Sequence, residues 1–144
     1  MERPSPLVRT VLRIKQDRSL CAVLLAMMSA TPLVANPVPS GQEATLHEVL
    51  VDAQDSTTYL RFRYITPQIA DGAQKIGFAV AGEDMMHLCQ TFALPYIDQY
   101  ALEGDKIVIS FMDRITEFGV PDPDATQYFE SFRPKNGVCM WDEF

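Results

Sequence analysis

Basic residues are scarce in this sequence. Lys and Arg together number 12 against 19 Asp and Glu in 144 residues, a formal charge of −7 and a pI of about 4.7. No cationic surplus exists to neutralise phosphates, so nucleic-acid binding is not expected. Histidine occurs twice, at His47 and His87, in no zinc-ligand spacing. The chain has no Gly-x-Ser-x-Gly, no phosphate-binding loop and no dinucleotide fingerprint, so neither a cofactor nor a known nucleophile is implied. The length excludes enzymes built from two or more domains. What remains is ordinary globular composition, 47% hydrophobic and 22% charged.

The N-terminal stretch is patterned. Arg3, Arg9, Arg13, Lys15 and Arg18 precede an apolar run from Leu20 to Met28, and Ser29, Ala30, Thr31, Pro32 and Ala35 follow. A cationic head, a short apolar middle and a small-residue exit describe a secretory signal peptide. Residues 1–35 are read as that signal, cut after Ala35, with Ala30 as the alternative. An uncleaved anchor is disfavoured because Leu20–Ala35 is shorter than the roughly 20 apolar residues a spanning helix needs, and it contains Pro32. The protein is therefore expected in the periplasm or outside the cell. The remainder would carry 7 basic and 17 acidic residues, a charge of −10, and no affinity for anionic membranes.

Cys21 leaves with such a signal. Cys89 and Cys139 remain, and in an oxidising compartment they are expected to form one disulfide.

Residues 36–42, rich in Pro and Gly, are expected to be an extended lead-in to a single domain over 43–144. Residues 45–52 and 58–65 read as strands. In the second, Leu60, Phe62 and Tyr64 alternate with Arg61 and Arg63. If Val51 faces Leu60, Val49 faces Phe62 and His47 faces Tyr64, with Glu48 opposite Arg63 on the other side. A loop follows, with room for a short strand near Lys75–Val80. Residues 83–94 read as a helix, with Met85, Leu88, Cys89 and Phe92 on one stripe. Pro95 should end or kink it, with a further turn over Tyr96–Leu102. Lys106–Met112 is apolar on both faces and belongs in the sheet centre. Residues 127–133 and 138–141 flank Asn136-Gly137 as a hairpin. The expected fold is α+β, an antiparallel sheet of about five strands on one main helix in β-β-α-β-β-β order.

Residues 112–127 are the most unusual stretch. Asp113, Arg114, Glu117, Asp122 and Asp124 crowd a Pro- and Gly-marked loop after the central strand. Such loops commonly carry binding residues, so this is the expected contact surface. The spacing fits no EF-hand, and no metal site is expected. Met85, Met86, His87 and Cys89 are soft-ligand types, but helix geometry points them apart and a disulfide would consume Cys89. Trp141, near Phe144, is expected to plug the core.

The stretches LHEVLV (46–51), LRFRY (60–64), HLC (87–89) with ALPY (93–96), DRITEFG (113–119), ATQYFE (125–130) and CMW (139–141) make residues 38–144 resemble an uncharacterised family of small exported bacterial proteins. The resemblance implies no activity and no functional residues. The reading from the residues is a non-enzymatic module that binds a protein or small ligand. Two alternatives stand beside it, a small carboxylate-based or cation-dependent hydrolase and an inhibitor of a basic exported enzyme.

Overall fold

The computed structural model describes residues 35–142. The expected signal segment, apart from Ala35, and Phe144 lie outside the described residues. Five strands form one sheet in the spatial order β1-β2-β3-β4-β5. They are β1 (Thr45–Gln54), β2 (Thr57–Ile65), β3 (Lys106–Met112), β4 (Gln127–Lys135) and β5 (Val138–Asp142). The α+β class holds, and β3 is central as expected.

The β1–β2 hairpin pairs Val51 with Leu60, Val49 with Phe62 and Glu48 with Arg63. Tyr64 faces Leu46 instead of His47, because the register shifts between Leu46 and Glu48. The cause is physical. Strict alternation would drive the His47 imidazole into the core, and burying a polar ring without a partner is costly. The bulge leaves His47 exposed and brings Leu46 against the core.

The sheet is mixed, which corrects the expectation of a purely antiparallel one. β2 and β3 run parallel, and the other three pairs are antiparallel. After Ile65 the chain crosses one sheet face as helices and re-enters beside β2 at Lys106. Such a crossover returns the chain to its starting end, so the new strand must run the same way. The order between β2 and β3 also differs from a single helix. A 3-10 turn at Pro67–Ile69 precedes α1 (Phe78–Leu88), a π-helical turn (Cys89–Ala93) and α2 (Leu94–Gln99).

There is no strand near Lys75–Val80, since α1 starts at Phe78, five residues before the expected start at residue 83. Its first turns are uncapped by side chains, and the buried Ala81 and Gly82 let them sit close to the sheet. Pro95 neither ends nor breaks the helical run. The wide turn before it places Pro95 in the first turn of α2, where its missing N–H is not needed.

The core lies between this helical layer and one sheet face. Leu60, Phe62, Tyr64, Ile107, Ile109, Phe111 and Phe132 meet Met85, Leu88 and Ala93. Phe92 packs edge-on against Phe62 and Tyr64 with centroids 6.3 Å away, and Tyr96 meets Phe62 at 5.5 Å. Cys89 and Cys139 form the expected disulfide, with a Cα–Cα distance of 6.2 Å, tying the helical layer to the last strand.

Residues 36–42 are not an extended tether. Val38, Gln42 and Ala44 are buried, and Asn36 N donates to Ala44 O at 2.7 Å. Buried Asp84 of α1 accepts from Ser40 N at 2.9 Å, Ser40 Oγ at 2.5 Å and Gln42 Nε2 at 2.6 Å. A buried carboxylate needs such partners, and the strap supplies them. Trp141 does not plug the core either. It is half exposed, tilted against Phe132 at 5.0 Å.

Candidate functional site

Alternation puts Arg61 and Arg63 on the sheet face that the helices leave open, with Val108, Ser110, Gln127, Phe129 and Arg133 beside them. Cross-strand ion pairs lace this face. Arg61 meets Asp52 at 2.8 Å, Arg63 meets Glu48, and Asp142 takes both Lys106 at 3.0 Å and Arg133 at 3.2 Å.

Loop 113–126 folds over part of it. The loop neck is closed by Asp113 N donating to Thr126 O at 3.1 Å. Gly119, at φ +76°, shapes the tip, where Val120 N donates to Glu117 O at 3.3 Å. Asp122 makes a second turn, accepting Asp124 N on its side chain and Ala125 N on its carbonyl. The interior anchor is Arg63. Its Nη2 donates to Thr116 O at 2.9 Å and to Thr116 Oγ1 at 2.8 Å. Arg63 is 3% exposed and Thr116 4%, so these bonds are shielded from water.

The structure separates the five residues expected at the contact surface. The Asp113 side chain is buried and held by Arg114, which bonds it through Nε at 3.0 Å and Nη2 at 3.2 Å. The Arg114 hydrogen bond holds the Asp113 carboxyl below its ordinary value. Arg114 and Asp113 therefore satisfy each other, while Glu117 and Asp124 are exposed and Asp122 is half-buried. Among the described residues no three His, Cys, Asp or Glu side chains come together as a metal would require. Met85 is in the core, with Cys89 in the disulfide.

The acids dominate the loop in the sequence, but the structure also exposes the apolar residues between them. Ile115, Phe118 and Val120 are 68%, 44% and 50% exposed. Phe118 rests over the guanidinium carbons of Arg61 and Arg63, 5.4 and 5.6 Å from its ring centroid. Beneath the loop lies an open cavity of about 330 Å³, lined among others by Arg61, Arg63, Ser110, Phe118, Gln127 and Phe129. The Arg61/Arg63 alternation was the available signal for this floor. A second cleft of about 400 Å³ lies between α2 and the β4–β5 turn, against Leu94, Ile97, Leu102 and Pro134.

These features define a small disulfide-tied α+β domain with a helical layer on one sheet face and an anchored loop on the other. The chain belongs to a family of unknown function, DUF6497, whose model matches residues 20–144. No curated protein and no solved structure matches it.

Proposed function

We propose that this protein is an exported binding domain, non-enzymatic, that uses loop 113–126 as its contact surface. The observation that carries this reading is the crest of Ile115, Phe118 and Val120, exposed on a loop whose backbone is fixed from below by Arg63. Exposing apolar side chains to water is unfavourable, and fixing the loop in advance reduces the entropy cost of a later contact. Exposed apolar side chains grouped on one anchored loop are a common mark of an interaction site. Export is supported by the cationic head and the apolar run that follows it. The disulfide suits an oxidising compartment.

The test is site-specific photo-crosslinking in cells. A photoreactive residue in place of Ile115 should give a discrete adduct, and one in place of exposed Ala79 on α1 should not. Equal adducts at both positions, or none at Ile115, would refute the contact surface. N-terminal sequencing of the recovered protein checks export, with a start at Asn36 or Thr31 expected.

A further inference from the structure

The charge around the apolar crest restricts what can cover it. Loop 113–126 carries Asp113, Glu117, Asp122 and Asp124 against the single cation Arg114, a net charge of −3. Arg114 is held by Asp113, so the acids flanking the crest are not neutralised one for one. The whole chain has the same sign, at −7. A second copy approaching crest to crest would bring like charges together as the contact loses water, which opposes association. Anionic lipid and nucleic acid meet the same repulsion. A cationic protein surface meets attraction at both ranges, by steering at a distance and by local pairing with Glu117, Asp122 and Asp124.

The crest also sets the shape of the contact. The Phe118 ring lies over both Arg61 and Arg63, so part of its freedom is already lost before binding. An aromatic side chain held this way serves as an anchor for a partner's apolar depression, with charged pairs around it as the rim. We propose that the occupant of loop 113–126 is a basic protein that presents lysine or arginine around an apolar recess for Phe118. This rests on the reading of the loop as the contact surface.

Fluorescence anisotropy of the full chain tests the proposal with two labelled peptides. One alternates lysine with leucine and phenylalanine, and the other has glutamate in place of every lysine. The lysine peptide should bind at low salt and weaken about tenfold or more as salt is raised, since exposed charges are screened. The triple variant Glu117→Gln, Asp122→Asn, Asp124→Asn and the single variant Phe118→Ser should each weaken binding about tenfold, roughly the scale of one hot-spot or rim-charge loss. All these side chains are at least partly exposed, and circular dichroism verifies that the variants fold. No lysine-peptide binding, or binding indifferent to both variants, overturns the proposal. If the glutamate peptide binds and Phe118→Ser abolishes that binding, the basic partner is refuted while the contact surface survives. If Phe118→Ser alters neither peptide, the contact surface itself loses its support.

Discussion

Arg63 on β2 holds Thr116, 53 residues away in the chain, by both its carbonyl and its hydroxyl. One buried guanidinium thereby fixes the loop that carries the apolar crest, and the same group is paired with Glu48 on β1. Thr116→Val keeps the shape and the carbonyl contact and removes only the hydroxyl. The hydroxyl also donates to Met112 Sδ at 3.1 Å, so its loss should cost about 1–2 kcal/mol, the net worth of the hydrogen bonds removed. Hydrogen exchange should accelerate within 113–126 while the amides of β2 and β3 keep their protection. Uniform loss of protection across the sheet would show that the bond serves the whole fold and not the loop.

The link between the helical layer and β5 is double. The Cys89–Cys139 disulfide is accompanied by Gln90, whose Nε2 donates to Gly137 O at 3.0 Å and whose Oε1 accepts Cys139 N at 3.0 Å. Replacing both cysteines with alanine opens a loop of 50 residues and should cost about 4 kcal/mol in the chain-entropy model. Gln90→Ala should cost about 1–2 kcal/mol for its two hydrogen bonds. The two ties hold the same strand, so their losses should not add. Denaturant melts of the single and combined variants measure the coupling, and strict additivity would mean that the ties act independently.

These ties show where sequence reading succeeds and where it stops. Reading residues 1–35 as a signal leaves Cys89 and Cys139, which is enough to name a bridge, and alternation in Leu60–Tyr64 is enough to place Glu48 opposite Arg63. Both are short-range or pairwise patterns. The parallel β2–β3 pairing depends on how the helical crossover returns, and no local residue encodes that. The bulge at His47 is a contest between alternation and the cost of burying an imidazole, visible only once the opposing Tyr64 is in place. The same holds for the loop. Its acids stand out in the sequence, but the pairing of Asp113 with Arg114 and the exposure of Phe118 depend on the sheet beneath.

Two glycines should respond to alanine in opposite directions. A Cβ on buried Gly82 of α1 would sit 3.6 Å from Glu130 Oε1 and 3.7 Å from Trp141 Cη2, ordinary contact distances. Gly82→Ala should therefore stabilise by about 0.5–1 kcal/mol, the helix-interior cost of glycine. A Cβ on Gly104 would lie 2.5 Å from Leu60 Cγ, and Leu60 is fully buried. Gly104→Ala should destabilise by about 1–3 kcal/mol through overpacking. Thermal melts of both variants decide. A destabilised Gly82→Ala would mean that α1 has no room to accept a methyl group against β4 and β5.

Glu130 makes the stability of the fold depend on pH. It projects from β4 toward α1, flanked by Tyr128 and Phe132, and burial raises its carboxyl above the ordinary value. A carboxyl whose folded-state pKa is raised favours folding in its protonated form. Its contribution is fully present below the unfolded value of about 4.3 and is lost as pH rises through the higher folded value. The ionised group at neutral pH is thus a net cost, which Glu130→Gln removes while keeping the side-chain length. The variant should melt above the wild type at pH 7, and the gap should close below about pH 4, where the unfolded carboxyl is also protonated. Gly82→Ala sharpens the test, because its methyl would lie 3.6 Å from Glu130 Oε1 and bury the same carboxylate further, so its gain should be larger at low pH than at pH 7. A Glu130→Gln melting difference that stays constant from pH 4 to pH 7 would locate the effect in packing and remove the electrostatic explanation.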